Sequence, residues 1–213
     1  MYKHKLLAEF LGTALLLLVI AGSGVMAESL SAGNTAVALL ANSIATGCGL
    51  YVLISVLAPI SGAHFNPVVS LMAWQTGALK RLDLINYILA QLSGAVSGVW
   101  LTHLLFKLPV IQFSVKARHG FSIWLSEFVA TLILLAVIYL AVKYARDKIS
   151  MLVALTVTAG YWFTSSTFFA NPAVTIARSL TNTFVGIAPA DILSFISAQL
   201  LAAALMIIIV RKA

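Results

Sequence analysis

Long runs of apolar residues, separated by short polar stretches, cover most of the chain. Six of these runs have about 20 residues, the length that an α-helix needs to cross the hydrocarbon core of a membrane. They lie at roughly 5–26, 36–57, 84–105, 123–143, 150–168 and 190–210. Two shorter apolar stretches, 66–76 and 172–182, each begin at an Asn-Pro pair. Because proline is well tolerated at the first helical position, we predict that each stretch forms a half-helix that enters the membrane without crossing it.

The composition supports this interpretation. Hydrophobic residues make up 62% of the 213-residue chain and charged residues only 9%, whereas about a quarter of a soluble domain is charged. We therefore predict an all-α membrane protein with six transmembrane helices and two re-entrant half-helices. The first run resembles a signal peptide, but it contains Glu9, lacks a small-residue cleavage site and precedes five further spans, so we interpret it as a retained helix. A single cysteine, Cys48, excludes an internal disulfide.

The basic residues indicate how the chain is oriented. With the N-terminus inside, nine Lys and Arg residues lie on the cytoplasmic side and three on the other, as the positive-inside rule requires. The cytoplasmic set is Lys3, Lys5, Lys80, Arg81, Lys143, Arg146, Lys148, Arg211 and Lys212, and the outer set is Lys107, Lys116 and Arg118. Topology thus accounts for the basic charge, and no nucleic-acid partner is predicted. Both termini are predicted to be cytoplasmic, and the short chain and termini favour a prokaryotic inner (plasma) membrane.

Three segments recur in the same order in the two halves of the chain. Residues 8–13 (AEFLGT) parallel 126–131 (SEFVAT), Asn66-Pro67-Val68 parallels Asn171-Pro172-Ala173, and residues 90–95 (AQLSGA) parallel 198–203 (AQLLAA). Each half thus has three spans and one half-helix, and an odd number of spans gives the halves opposite orientations. We predict a single domain over 1–213 with inverted repeats over 1–108 and 119–213. The two half-helices then meet at their N-termini near the membrane midplane.

This ordered set of motifs resembles that of the aquaporin and aquaglyceroporin (major intrinsic protein) family along essentially the whole chain. The resemblance rests on the Glu-Phe-x-x-Thr starts, Ser-Gly-Ala-His-Phe-Asn-Pro, Asn-Pro-Ala and the two Ala-Gln-Leu segments. It implies a passive channel for water and small uncharged solutes, a homotetramer surrounded by lipid, and neither cofactor nor metal. No set of nucleophile, base and metal ligands converges in the sequence, so we predict that the chain is not an enzyme.

The two Asn-Pro sites are the candidate centre of the pore. Asn66 and Asn171 are each predicted to point a side-chain amide N–H into it. Each half-helix adds about half a positive charge at its N-terminus, so that the pair would orient the oxygen of a passing solute and repel cations. The alternative is that each Asn only caps its helix, although the two roles are compatible.

The residues before each Asn are predicted to offer backbone carbonyl groups to the pore. These residues are Gly62, Ala63 and His64 in the first half and Thr167, Phe168 and Phe169 in the second. Unpaired carbonyl groups are tolerated at membrane depth only where they line a wet cavity. No second metal ligand adjoins His64 in the sequence, and the resemblance implies that its main chain is used, so a metal or proton-relay role is the less favoured alternative.

Two carboxylates lie inside predicted spans, where an ionisable side chain is costly and suggests a function. The equivalence of Glu9 and Glu127 in the repeat favours a bracing role, in which each accepts hydrogen bonds from the backbone of a re-entrant segment. A proton-carrying carboxylate is the alternative. Gln91 and Gln199 are similarly interpreted as interior hydrogen-bonding groups.

One position departs from the pattern of the family. Most water and glycerol channels that the chain resembles have Arg directly after the second Asn-Pro-Ala, where this chain has Val174. Counting from the Asn-Pro sites assigns the other positions of the selectivity filter to Thr46, Ala159 and Phe168. The water-specific members of the family that the chain resembles have Phe, His, a small residue and Arg at these four positions. We therefore predict a widened filter that passes glycerol, urea and neutral metalloid acids such as arsenite.

Several alternatives stay open at this point. Arg178, one helical turn beyond Val174, either reaches the outer vestibule and partly replaces the missing charge, or pairs with a loop carbonyl or carboxylate. Val68 stands where the first motif usually has Ala and adds bulk beside the central constriction. The alternative functions are a strict water channel and, less favoured, an ion-coupled secondary transporter, since such transporters also use inverted repeats and broken helices.

Overall fold

The computed structural model describes residues 2–212 and shows an all-helical fold, with no β-strand in that range. The α-helices are α1 Tyr2–Leu30, α2 Thr35–Ser61, α3 Pro67–Gln75, α4 Arg81–Leu105, α5 Phe121–Tyr144, α6 Ile149–Phe163, α7 Pro172–Ser179 and α8 Ile192–Lys212. Short 3₁₀ turns, Arg146–Lys148 and Pro189–Asp191, precede α6 and α8. The terminal residues of the predicted domain, Met1 and Ala213, lie outside the described range.

Five helices in the described part of the chain are long and apolar enough to cross a membrane: α1, α2, α4, α5 and α8, the last counted with its 3₁₀ turn. The fifth predicted span, 150–168, is wrong at its C-terminal end because α6 stops at Phe163. Thr164 adopts an extended conformation (φ −115°, ψ 134°), and its hydroxyl donates to the carbonyl of Gly160 at 2.6 Å. Ser and Thr side chains compete in this way for backbone groups, and residues 164–167 are Thr-Ser-Ser-Thr.

The helices pack in the same way in both halves of the chain. In the first half α1 packs mainly against α2 and α4, and in the second half α5 packs mainly against α6 and α8. Contacts between α2 and α6 join the halves, and each half-helix, α3 or α7, contacts both α4 and α8. The two half-helices are therefore held inside the bundle by the same pair of helices.

The bundle has two ends, which we name by the chain segments found there. At the terminal end, the Asn86 amide donates to the Tyr2 hydroxyl at 2.7 Å, and Arg211 hydrogen-bonds Gln75, so the starts of α1 and α4 lie with the ends of α3 and α8. At the loop end lies the connection 106–120, which is pinned where the Ser114 N–H donates to the Ser179 carbonyl at 2.9 Å.

Helices α1 and α4 approach each other closely through glycine. A Cβ atom on Gly94 would lie 2.3 Å from the carbonyl oxygen of Phe10, and one on Gly98 would lie 2.1 Å from that of Ala14. Small residues let helix backbones come together in membranes, where van der Waals packing replaces the hydrophobic driving force. The α1–α4 contact therefore depends on these two glycines.

We predict that Gly94→Ala destabilises the protein, because the new methyl group would meet the rigid backbone of α1. Overpacking of this kind costs about 1–3 kcal/mol, which thermal unfolding of the detergent-solubilised protein would show as a lower midpoint. Gly22→Ala is the control, since its Cβ would lie at an ordinary 3.4 Å from the flexible ring of Phe106. Equal unfolding midpoints for the two variants would contradict the close approach.

Candidate functional site

The two segments that lead into the half-helices have the same unusual backbone. In each, the residues four, three and one positions before the Asn have positive φ angles. These are Gly62 (91°), Ala63 (51°) and Phe65 (49°) in the first segment, and Thr167 (60°), Phe168 (54°) and Ala170 (47°) in the second. Residues with a side chain adopt this region at a cost of about 1–2 kcal/mol each. Strain of this kind persists only where the surroundings enforce it, and it clusters at functional sites.

The carbonyl groups of these segments are left free by this backbone. Within residues 2–212, none of the carbonyls of residues 62–64 and 167–169 accepts a protein hydrogen bond. Buried backbone carbonyls are otherwise paired in the great majority of cases. Six free acceptors are therefore available to hydrogen-bond donors from outside the protein.

Both Asn side chains cap their half-helices. Asn66 Oδ1 accepts from the N–H of Val68 at 3.0 Å, while Asn171 Oδ1 accepts from the N–H groups of Ala173 and Val174 at 2.9 and 3.3 Å. A capping side chain satisfies N–H groups that have no partner within the helix. The oxygen of each amide is thus committed, and its orientation is fixed.

The amide nitrogens of the same side chains link the two segments to each other. Asn66 Nδ2 donates to the carbonyl of Ala170 at 2.7 Å, and Asn171 Nδ2 donates to the carbonyl of Phe65 at 2.8 Å. Each acceptor directly precedes the opposite Asn, so the tips of the two half-helices abut. An amide nitrogen carries two hydrogens, which leaves one donor on each Asn, and both side chains border the cavity described below. Each Asn thus both caps its half-helix and borders the cavity.

Glu9 of α1 lies behind the first segment and is fully buried. Its Oε1 accepts from the Ser61 hydroxyl at 2.7 Å and from the His64 N–H at 3.0 Å. Its Oε2 accepts from the Phe65 N–H and from Gln91 Nε2, both at 2.8 Å. These four contacts are those that the predicted bracing role requires.

Glu127 of α5 occupies the equivalent place behind the second segment and is also fully buried. It accepts from the N–H of Ala170 at 2.5 Å and from Gln199 Nε2 at 2.7 Å. Gln199 donates further to the hydroxyl of Thr175 on α7 at 2.9 Å, as Gln91 does to Ser70 on α3. Each Glu-Gln pair thus ties one re-entrant segment to its own half-helix.

The His64 side chain takes part in a local contact. Its Nδ1 lies 3.0 Å from the Ser70 hydroxyl, and its ring tilts against that of Tyr87 at a centroid distance of 5.4 Å. No cluster of three or more His, Cys, Asp or Glu side chains suited to a metal ion occurs in the part of the chain described by the structure.

A cavity of about 510 Å³ extends through the bundle, from Arg178 at the loop end to Lys143 at the terminal end. Its wall is largely apolar and is built from side chains spaced four residues apart, which share one face of a helix. The lining stripes are Thr46, Leu50 and Ile54 on α2; Leu134, Ile138 and Val142 on α5; and Ile149, Val153, Val157 and Tyr161 on α6. Polar groups in this wall include the two Asn side chains, five of the six residues with free carbonyls, and the side chains of Thr46, Tyr161, Arg178 and Lys143.

Three of the four predicted filter residues border the cavity, namely Thr46, Phe168 and Val174. The fourth, Ala159, is wrong: it is exposed on the outer face of α6. Counting back from Asn171 crosses the irregular segment 164–170, which does not keep the phase of a helix. Ala159 lies two residues from both Val157 and Tyr161 and therefore points away from their stripe.

Tyr161 and Gly160, the next two residues of α6, are buried on the inner side of the helix in place of Ala159. The Tyr161 hydroxyl lies 3.1 Å from Thr46 Oγ1 and so connects α6 to α2 beside the cavity. Gly160 leaves room for the ring of Phe168, which a Cβ atom would approach to 2.2 Å. The four-residue apolar spacing along α6 was the signal in the sequence that would have identified Tyr161.

The remaining motif residues lie beside the cavity rather than on it. Pro67, Pro172 and Ala173 are buried at the starts of the half-helices, and Val68 is fully buried in a cluster with Met72. The Val68 side chain thus lies beside the cavity, as part of a cluster whose member Met72 borders it, and does not border the cavity itself. Thr167 borders a second cavity, of about 430 Å³, at the loop end.

Arg178 combines the two roles that the sequence left open. Its Nε donates to the carbonyl of Val185 at 2.5 Å, and its guanidinium lies 3.5 Å from the ring centroid of Phe169. It also borders both cavities. A second arginine, Arg118, reaches the same region from the connection 106–120; no periodicity in that segment announces it.

This architecture is shared with known proteins. The profile described as "Major intrinsic protein" matches residues 1–165, well over half of the chain. The chain belongs to the major intrinsic protein family. As a member of this family it is an integral membrane channel protein and not an enzyme. The prediction of a channel and the prediction that the chain is not an enzyme are both confirmed.

Individual relatives agree with the family. Aquaglyceroporin AqpS of Rhizobium meliloti is 49% identical over 208 residues, which are 98% of this chain and 89% of that protein. The glycerol uptake facilitator protein of Pseudomonas aeruginosa is 38% identical over 107 residues, 50% of this chain and 37% of that protein. The X-ray structure of the aquaglyceroporin from Plasmodium falciparum overlays with a TM-score of 0.72 at 22% identity, covering 98% of this chain and 93% of that one. This last match confirms the predicted fold class.

We predict that Glu9→Gln disturbs the first re-entrant segment. In either orientation the new amide NH₂ would face a backbone N–H, that of His64 on one side or of Phe65 on the other, so a charge-assisted bond worth about 1.5–3 kcal/mol is lost. The variant should unfold at a lower temperature and pass solute more slowly in proteoliposomes. Glu28→Gln, at an exposed position of the same helix, should match the parent protein; unchanged behaviour of Glu9→Gln would contradict the brace.

Proposed function

We propose that the protein is a passive channel for water and small uncharged solutes, including glycerol, urea and neutral metalloid acids such as arsenite. The observation that carries this proposal is the cavity that runs between the two ends of the bundle and is bordered at mid-depth by both Asn side chains. Apolar stripes, two amide donors and five of the six residues with free carbonyls, all but Thr167, form its wall. Such a wall offers hydrogen bonds to a solute without holding it tightly.

The carbonyl groups and the Asn amides make different hydrogen bonds with a passing solute. Carbonyls of residues 62–64 and 167–169 accept hydrogen bonds from the hydroxyl or amide hydrogens of the solute, while the Asn66 and Asn171 amides donate to its oxygen. The half-helices α3 and α7 direct their N-termini, with a partial positive charge, at this point. Cations, hydronium included, are therefore disfavoured, and neutral molecules move down their gradient without an energy source.

The filter is wider than that of a water-specific pore in this proposal. Thr46, Tyr161, Phe168 and Val174 border the cavity, and the short Val174 side chain leaves open the space that an arginine would occupy. Two of the relatives are named as an aquaglyceroporin and a glycerol uptake facilitator, and these names support solutes larger than water. A strict water channel is the alternative that this filter disfavours.

An ion-coupled transporter is disfavoured by the state of the two intramembrane carboxylates. Glu9 and Glu127 are fully buried, and both are engaged by hydrogen bonds from the re-entrant segments and the two Gln side chains. Neither borders the cavity, so neither is available to a coupling proton or sodium ion. The same contacts support the structural, bracing role of both carboxylates.

We further propose that the protein forms homotetramers in the plasma membrane, with both termini cytoplasmic and the loop end outside. The charge asymmetry supports this orientation. The family supports the tetramer, in which each subunit would have its own pore. Stopped-flow swelling of proteoliposomes with water, glycerol, urea and arsenite tests the function. Flux of all four supports it, whereas flux of water alone would overturn the widened filter.

We predict that Val174→Arg lowers glycerol and arsenite permeability by at least about tenfold while water still passes. An arginine at this place would fill the filter and occupy solute-binding carbonyls, and a factor of ten corresponds to about 1.4 kcal/mol of additional barrier. Val174→Thr, which has nearly the same shape and no charge, should leave glycerol flux unchanged. If glycerol flux survives in Val174→Arg, Val174 is not part of the filter.

A further inference from the structure

Three cationic side chains converge on the second cavity, at the loop end of the bundle. Arg178 comes from α7, while Arg118 and Lys116 come from the connection 106–120, and all three border the same space of about 430 Å³. Arg178 and Tyr161 also border the main cavity, so a solute that enters at the loop end passes these charges. We call this group the cationic mouth.

A single aromatic ring supports the two arginines. The guanidinium carbon of Arg178 lies 3.5 Å, and that of Arg118 lies 5.1 Å, from the ring centroid of Phe169. Phe169 itself packs edge-on against Phe195 of α8. Cation–π contact lowers the energy of a guanidinium that has lost part of its hydration. The arginines are thus placed by the structure and are not free surface side chains.

Carbonyl groups fix the remaining geometry of the cationic mouth. Arg118 Nε donates to the carbonyl of Gly186 at 2.8 Å, and Lys116 Nζ donates to that of Phe184 at 2.7 Å. Arg118 Nη1 lies 3.4 Å from Thr167 Oγ1, which brings it to the segment that offers free carbonyls. The loop 106–120 is therefore fastened over the second re-entrant segment.

The positive charge of this group is not neutralised by the protein. Within residues 2–212, no Asp or Glu lies within ion-pair distance of Lys116, Arg118 or Arg178. The nearby Asp191 accepts from the backbone N–H of Arg118 and faces His119, so it does not pair with the guanidinium. Only 2% of Arg178 is exposed, and a buried charge without a partner is expensive.

Donors also remain available. The hydrogen bonds made within the described residues engage Nε of Arg178 and Nε and Nη1 of Arg118. The two Nη groups of Arg178 and Nη2 of Arg118 are left over, and both arginines border the second cavity together with Tyr161. A guanidinium fork matches the oxygens of a carboxylate or a tetrahedral oxyanion.

The charge of Arg118 persists at neutral pH. Burial lowers the pKa of Arg118 to about 10, although Glu127, Tyr161 and Asp191 counteract this effect. Burial and the two arginines also lower the pKa of Lys116, an effect that requires the three cations to be close together. A nearby anion would favour the charged form of each group.

We propose that the cationic mouth is a binding site for a small oxyanion, held by Arg178 and Arg118 with Lys116 at the rim. This inference extends the channel proposal, because it assigns a ligand to the mouth of the same passage. The filter lacks arginine at position 174, and the structure supplies two arginines farther along the passage instead. An anion bound there would stand in the path of neutral solutes.

Titration of the purified full-length channel with inorganic phosphate in a calorimeter tests the site, against sodium chloride at the same ionic strength. We expect saturable binding, with the dissociation constant raised at least about tenfold in both Arg178→Gln and Arg118→Gln, since a bond to a charged group is worth about 1.5–3 kcal/mol. Lys107→Gln is the matched control, because Lys107 carries the same charge in the same loop but borders neither cavity.

Three outcomes would overturn the proposal: no saturable binding to the parent protein, equal weakening by Lys107→Gln, or unchanged binding in both arginine variants. Thermal unfolding of each variant monitors its fold. Should Arg178→Gln not fold, Arg118→Gln and Lys116→Gln carry the test, because both residues lie outside the helices.

External phosphate should also reduce glycerol flux through the parent protein, and it should reduce flux through Arg118→Gln to a smaller extent. Phosphate binding without solute flux would contradict the channel, whereas flux without phosphate binding would contradict this site alone.

Discussion

The structure depends on two hydrogen bonds that cross between the halves of the chain, from Asn66 Nδ2 to the Ala170 carbonyl and from Asn171 Nδ2 to the Phe65 carbonyl. Both half-helices point ends with partial positive charge at each other, an arrangement that repels unless something joins the tips. Because each Asn bonds to the residue before its counterpart, the joint is reciprocal. Both Asn side chains also border the cavity, so the contact that holds the halves together lies at its wall.

The surrounding bundle maintains this joint and the strain beside it. Glu9 and Glu127 accept N–H groups of the two re-entrant segments, whose carbonyls then remain free for solutes. The equivalence of the halves ends at the loop end. Ser61 donates to Glu9, whereas the hydroxyl of Ser166, its counterpart, has no protein partner within residues 2–212. The cationic mouth lies on that side, which gives the two ends of one passage different chemistry.

The long helices could be predicted from the sequence because the membrane sets the length of a crossing helix. The half-helices could be predicted because Asn caps a helix and Pro suits its first position. The pore centre and the buried carboxylates follow from the repeat. The prediction of Ala159 as a filter residue was wrong because counting through an irregular segment loses the helical phase. The four-residue spacing of Val153, Val157 and Tyr161 keeps that phase. Arg118 was not predictable, since only tertiary packing brings its loop over Phe169.

The most direct test of the reciprocal joint is a double-mutant cycle on the free energy of unfolding, with Asn66→Ala, Asn171→Ala and the double variant in one detergent. Removing either amide displaces the acceptor of the other. The double variant should therefore lose less stability than the sum of the single losses, by about 1 kcal/mol or more. Losses that add to within about 0.3–0.5 kcal/mol, as for independent sites, would contradict the claim that the two tips form one joint.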